Sequence, residues 1–180
     1  MKEYLVIGNP ITHSLSPELH NYWIKKNGIN GLYNKEKLNE NDLKKFFLRI
    51  KNKEVNGANI TVPFKKTVIS YIDNLSLEAE KTQSVNTVYL ENEKIIGHNT
   101  DIVGFELAIK DANYDVKGKE VLILGAGGVV PSIIYALYKM KALNVTISNR
   151  TKAKAQNLKN LFNDIKIVNW GEVSNFDMII

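Results

Sequence analysis

The residue types best suited to chemistry fall in four places: Ser14 and Ser16; Asn59, Thr61 and Lys65; Asn86 with Thr87; and Asn99-Thr100-Asp101. Each place lies at the end of a predicted strand or at a predicted junction. In open α/β sheets, ligands bind beyond the carboxyl ends of strands. Hydroxyls and amides gathered there suit a small polyhydroxylated acid. Blander readings compete at every position. Ser16 before Pro17 has the form of a helix N-cap, Asp101 can cap the helix that follows it, and lysine is ordinarily a surface residue. His13, His20 and His98 lack metal-ligand spacing, so no metal is expected. A Ser-His-Asp triad can be written down from these residues, but nothing in the sequence fixes its geometry.

A second chemistry is spelled in the later half. Lys119 to Leu124 reads as a buried strand and runs directly into Gly125-Ala126-Gly127-Gly128, with an apolar helix over 129–140 behind it. A strand that turns on glycines into a helix is the sequence form of a dinucleotide phosphate cradle, because glycine admits close backbone approach and the helix start offers N–H donors. The next strand, Asn144 to Ser148, ends at Asn149-Arg150-Thr151, roughly 20 residues beyond the glycines, where such folds meet the adenosine ribose. An acidic residue there would select NAD. A guanidinium, an amide and a hydroxyl, with Lys152 and Lys154 just behind, suit a 2′-phosphate and therefore NADP. Arg49 and Arg150 are the only arginines in the chain, which argues against filler at this spot. The competing reading has Asn149 to Thr151 simply capping the next helix.

The elements that must position these groups alternate. Predicted strands cover 4–8, 31–38, 57–62, 85–90 and 94–98, the last two as a hairpin across Glu91-Asn92-Glu93. Predicted helices begin at Ser16-Pro17, with Ser16 as N-cap, and span 40–53, 64–72 and 102–112. Beyond Thr151 come a helix to about 163 and strands at 165–168 and 178–180. This pattern predicts an α/β fold with mostly parallel sheets: an N-terminal α/β domain over 1–101, then a Rossmann-like dinucleotide domain over 102–180. A single β-α-β-α-β half of the second domain is expected. The apolar ending at Met178 to Ile180 would leave an edge for another chain, such as a second copy, to cover.

Bulk properties narrow the classes. The chain has 180 residues, 44% of them apolar, with no run near the roughly 18 that a membrane helix needs. The start is a strand opening, too short for a signal peptide. The absence of cysteine excludes disulfides and thiolate catalysis and fits a cytoplasmic protein. The net charge of +5 is spread as lysines among Asp and Glu without blocks, so nucleic acid is not expected as a partner.

Taken in order, the motifs become specific. His13-Ser14-Leu15-Ser16-Pro17, Asn59-Ile60-Thr61-Val62-Pro63-Phe64-Lys65, Val85-Asn86-Thr87, Gly97-His98-Asn99-Thr100-Asp101, Gly125-Ala126-Gly127-Gly128 and Asn149-Arg150-Thr151 together resemble the shikimate dehydrogenase family over essentially the whole chain. The resemblance implies reversible NADPH-dependent reduction of 3-dehydroshikimate to shikimate, on the route to aromatic amino acids. It implies that Ser14 and Ser16 bind the substrate carboxylate. Thr61, Asn86 and Asp101 would hold ring hydroxyls and the reacting oxygen, and Lys65 would serve as the acid/base residue paired with Asp101. The chemistry agrees: hydride delivered to a ketone leaves an alkoxide, which needs a proton donor within hydrogen-bond reach.

Two departures stand out. Val130 occupies the sixth fingerprint position, where glycine or alanine is expected, and is expected to loosen helix–strand packing. Family members also continue past this chain's end, into the loop beside the nicotinamide and a C-terminal helix, so the chain reads as truncated. The alternatives are a quinate/shikimate dehydrogenase with relaxed cofactor use, which Arg150 argues against, and a non-catalytic binding or assembly module.

Overall fold

The computed structural model describes residues 1–172 and 175–180. The chain divides into two compact units, Met1–Asn99 and Thr100–Ile180.

The first unit is built on a six-stranded sheet. Its strands are β1 (Lys2–Gly8), β2 (Gly31–Lys37), β3 (Gly57–Ile60), β4 (Asn74–Leu75), β5 (Thr87–Glu91) and β6 (Lys94–His98), in the order β2-β1-β3-β5-β6-β4. β1 pairs in parallel with β2 and β3, and β4 with β6. β5 runs antiparallel to both β3 and β6, so this sheet is mixed, with three parallel pairings and two antiparallel ones. The cause is the predicted hairpin itself, which turns on Asn92 and Glu93, both in the left-handed region.

Helix α1 (Ser16–Lys26) leaves Leu19, Tyr22 and Trp23 largely exposed, whereas α2 (Leu43–Lys51) buries Leu43, Phe46, Phe47 and Ile50. Those four positions share one helix face at the spacing i, i+3, i+4, i+7. They pack against Leu5, Ile7, Ala58, Ile60 and Val88 of the sheet.

Several predicted boundaries shift for local reasons. Ser16 is the first helical residue of α1 and not its cap; Leu15 takes that place and makes no side-chain bond. The stretch 40–42 is a 3-10 turn fixed by a capping box between Asn39 and Asp42, so the α-helix begins only at Leu43. Residues 64–72 form turns and a 3-10 helix, Thr67–Tyr71, rather than a longer helix. Thr67, Val68 and Ile69 are β-branched in succession, which disfavours α-helix. Helix α3 (Leu77–Thr82) and the short β4 were not expected. Ser76 caps α3 by accepting the Ala79 N–H at 3.2 Å, and Glu78 and Glu80 complement its N-terminus.

The second unit opens with α4 (Asp101–Asp111) and continues as β7 (Glu120–Leu124), α5 (Val130–Lys139), β8 (Asn144–Ser148), α6 (Lys152–Leu161), β9 (Lys166–Val168) and β10 (Met178–Ile179). Its sheet is wholly parallel, in the order β10-β7-β8-β9. The chain steps outward from β7 to β9 and then crosses back, so that β10 lies on the free side of β7. The expected single β-α-β-α-β half is therefore extended by the first strand of the reverse direction. This reversal makes the carboxyl end of β7 a topological switch point. Val130 is 5% exposed and belongs to the core with Val121, Ile123, Ile134 and Leu137. It fills the helix–strand contact and does not loosen it.

Candidate functional site

Three of the predicted residues converge within the first unit. Ser14, Ser16 and Thr61, with Val6, Pro10, Ile11 and His13, line a hollow of about 310 Å³ at the carboxyl ends of β1 and β3. Backbone bonds hold its walls. Thr61 N–H donates to Ile7 O at 3.0 Å, and Asn9 N–H donates to Val62 O at 2.9 Å. The serine loop closes on itself through Ser14 N–H to Ile11 O and through Ser16 N–H to the Ser14 hydroxyl at 3.3 Å. Lys35 Nζ on β2 ties the same loop down by donating to the carbonyls of Thr12 and Ser14. Gly8 ends β1 under Thr61, and a Cβ there would lie 2.5 Å from Thr61 Cγ2. Only glycine allows this approach.

Lys65 and Asn86 sit on adjoining backbone. Val85 N–H donates to Lys65 O at 2.8 Å, Ile60 N–H to Asn86 O at 2.8 Å, and Asn86 N–H to His98 O at 3.0 Å. Asn86 is 8% exposed. Beside it runs a row of side-chain bonds: Tyr33 Oη to Asn59 Oδ1 at 2.6 Å, Asn59 Nδ2 to Thr87 Oγ1 at 3.1 Å, and Thr87 Oγ1 to Asn86 Oδ1 at 3.0 Å. His20 stacks on Tyr33 with ring centroids 4.2 Å apart. Burial raises the Tyr33 phenol far above its ordinary value and lowers the His20 imidazole. Asn99, by contrast, is fully buried and serves the fold, donating to Thr82 Oγ1 and Ser84 O.

Sequence reasoning passed over Tyr33 and Lys35, which carry no motif. His13, weighed as a metal ligand and as a triad member and carried in the first family motif, also lines the hollow.

In the second unit, Asp101 is the first residue of α4, one position earlier than expected. Thr100 stands in the cap position, without a side-chain cap bond. Gly125 follows β7 with φ +127°, a conformation suited to glycine. Around Gly125, Gly127 and Gly128 a Cβ would meet nothing within 4 Å, so the turn borders open space. Among the described residues, the N–H groups of Gly127, Gly128 and Val129 donate to no other residue. Such an open turn at a helix start suits an anion.

Beyond β8, Asn149 Nδ2 donates to Thr151 O at 2.8 Å and shapes the turn. Arg150, Thr151, Lys152 and Lys154 are exposed. Thr151 occupies the cap position of α6 without a side-chain bond. Arg49, the other arginine, is taken by a bidentate pair with Glu36 at 2.8 and 3.0 Å. An open glycine turn and an exposed arginine after the second strand fit a dinucleotide bearing a 2′-phosphate. Among the described residues, no helix is long and apolar enough to cross a membrane.

Comparison with known proteins gives a consistent result. Residues 6–88 match the family described as shikimate dehydrogenase substrate binding domain, and residues 106–179 match shikimate / quinate 5-dehydrogenase. A relative from Pelagibacter ubique, named shikimate dehydrogenase (NADP(+)), is 54% identical over 99% of this chain and 68% of its own length. Another of that name from Aquifex aeolicus is 43% identical, over 92% of this chain and 61% of its own. The crystal structure of shikimate dehydrogenase from Aquifex aeolicus superposes with a TM-score of 0.88 at 43% identity, covering 94% of this chain and 63% of that one. Shikimate 5-dehydrogenase from Thermus thermophilus, in complex with NADP(H) and shikimate, gives 0.85 at 31% identity, over 93% and 63% of the two chains. The chain thus spans about six-tenths to two-thirds of these relatives' lengths.

Proposed function

The chain belongs to the shikimate dehydrogenase family, and we propose that it is an oxidoreductase interconverting 3-dehydroshikimate and shikimate with NADP(H). The observation that carries this reading is the convergence of Ser14, Ser16 and Thr61 on one hollow, in a chain whose second unit opens a glycine turn at its sheet's switch point. The two serine hydroxyls donate to the substrate carboxylate, and Thr61, Asn86 and Asp101 hold the ring hydroxyls and the reacting oxygen. Lys65 donates the proton that the new alkoxide requires and steadies its developing charge. Asp101 orients that ammonium.

Bound NADPH supplies the hydride. The turn from Gly125 through Ala126 and Gly127 to Gly128 receives its pyrophosphate. Arg150, Lys154 and Thr151 receive the 2′-phosphate, with Asn149 fixing the turn that presents them. A boundary at residue 101 then separates substrate-binding from cofactor-binding sequence. A cytoplasmic location goes with this reading, in keeping with a chain free of cysteine.

The experiment is a set of initial rates at 340 nm with shikimate or quinate against NADP or NAD. Shikimate with NADP is expected to be the preferred pair. Preference for quinate, or equal use of NAD, would move the assignment to the broader quinate/shikimate class. The edge beyond β10 is two residues long and offers pairing to a second copy. Sedimentation giving a strict monomer would exclude that assembly.

A further inference from the structure

We infer that Lys35 is a positioning residue for the carboxylate end of the proposed site: its ammonium fixes the backbone that carries Ser14, so that the Ser14 and Ser16 hydroxyls meet one ligand together. The inference rests on the two serines being substrate contacts, as proposed above.

Ser14 lies on the connection between β1 and α1, and Ser16 is the first residue of α1. Both ends of that connection are tied to β2. β1 pairs with β2 along its length, with Val6 opposite Lys35, and Val6 lines the hollow. At the other end Asn21 of α1 clamps the β2 backbone, its Nδ2 donating to Tyr33 O at 2.7 Å and its Oδ1 accepting from Tyr33 N–H at 2.9 Å. Between these anchors, Lys35 Nζ donates to Thr12 O at 2.5 Å and to Ser14 O at 3.5 Å.

Peptide units are rigid planes, so a held carbonyl orients the whole unit. Lys35 orients the units that follow Thr12 and Ser14. The unit between His13 and Ser14 is held by Ser14 N–H, which donates to Ile11 O at 3.1 Å. Both planes that flank the Ser14 Cα are thereby set, and with them the direction of its Cβ. Ser14 Oγ in turn accepts from Ser16 N–H at 3.3 Å, which links the first serine to the second.

Charge adds to geometry. Among the described residues Lys35 has no carboxylate within ion-pair distance, and the neighbouring Glu36 is taken by Arg49. A carboxylate at the serines therefore meets a positive charge that no acidic side chain offsets. Lys35 is exposed, so water would take over both carbonyls if the ammonium were lost. The loss falls on the precision of the loop and not on the fold.

The test is calorimetric titration of shikimate into the full chain and its variants, with initial rates alongside. Lys35→Met keeps the stem and removes the donor. It should weaken shikimate about tenfold, equivalent to about 1.4 kcal/mol, and raise KM in proportion. The kcat should stay within about twofold, since the carboxylate end takes no part in the hydride step. Lys35→Arg again presents donors to the two carbonyls and should recover binding to within about threefold. NADP affinity should not move in either variant. Unchanged shikimate binding in Lys35→Met, a loss confined to kcat, or no recovery in Lys35→Arg would overturn the inference while leaving the proposed function intact.

A second readout needs no ligand. In Lys35→Met the Ser14 and Ser16 amides should exchange their hydrogens several-fold faster, and Lys35→Arg should restore them, while Leu5 to Ile7 keep their rates. Faster exchange throughout β1 would give Lys35 a merely structural role, and unchanged exchange at both serines would deny it any hold on the loop; either result overturns the inference. If the unmutated chain binds no shikimate, the proposed function fails instead, and exchange at the serines still decides whether Lys35 holds them.

Discussion

Gly8→Ala tests how the hollow is built. The added Cβ would lie 2.5 Å from Thr61 Cγ2, 3.0 Å from Val62 O and 3.2 Å from Ile11 Cδ1. Carbon pairs are most comfortable at about 3.5–4.0 Å, so the Thr61 methyl must retreat by about 1 Å. Val62 O cannot give as easily, because it is backbone and accepts from Asn9 N–H at 2.9 Å. Overpacking of this kind costs about 1–3 kcal/mol. On a unit of 99 residues that corresponds to a Tm lower by roughly 5–15 °C.

The displaced side chain is one of the proposed substrate contacts, so shikimate binding should also weaken, by about tenfold. The decisive arm is the double variant Gly8→Ala/Thr61→Ser, which keeps the hydroxyl but deletes the methyl that the alanine strikes. It should recover at least half of the lost Tm measured by calorimetry. Strictly additive losses would refute the claim that Thr61 is what glycine makes room for.

Three further outcomes are expected. Arg150→Gln should weaken NADP by at least tenfold while leaving NAD unchanged, since only the 2′-phosphate loses a partner; an equal loss for both nucleotides would contradict that placement. Val130→Ala would restore the fingerprint residue yet should destabilise by about 2 kcal/mol in urea unfolding, because two buried methyls leave the core; unchanged or raised stability would contradict the packing seen. His20 has its pKa lowered from 6.5 by burial, so the folded state favours the neutral ring. Its contribution is complete above 6.5 and is lost as pH falls below that value through the folded pKa. Thermal melts from pH 8 to pH 5.5 should therefore fall more steeply for the wild type than for His20→Phe, which keeps the stacking on Tyr33. Parallel slopes would count against this role.

Much of the fold was legible because its strongest signals are local. β8 begins and ends where predicted, and Val121, Leu122 and Ile123 are buried as a continuous apolar run requires. The mixed first sheet was less legible, since the register that joins β5 to β3 depends on contacts about 30 residues apart. α3 was missed although Ser76 followed by Glu78 and Glu80 is a helix-start signal; at six residues it carries too little periodicity.

Of the candidate site, the hydroxyls of Ser14, Ser16 and Thr61 were found from type and position, and the structure adds their common hollow. Tyr33 was hidden because nothing in its neighbourhood marks a tyrosine whose hydroxyl reaches another strand. Ser16 and Asp101 were weighed as caps, and neither is the capping residue of its helix.

The central claim is best tested by following NADPH formation from shikimate and NADP on this chain and on Lys65→Ala. The account predicts turnover by the unmutated chain and a fall of about 10²–10⁴-fold in kcat for Lys65→Ala, with shikimate binding largely retained. Undiminished turnover in Lys65→Ala, or no NADPH from either protein, would contradict it.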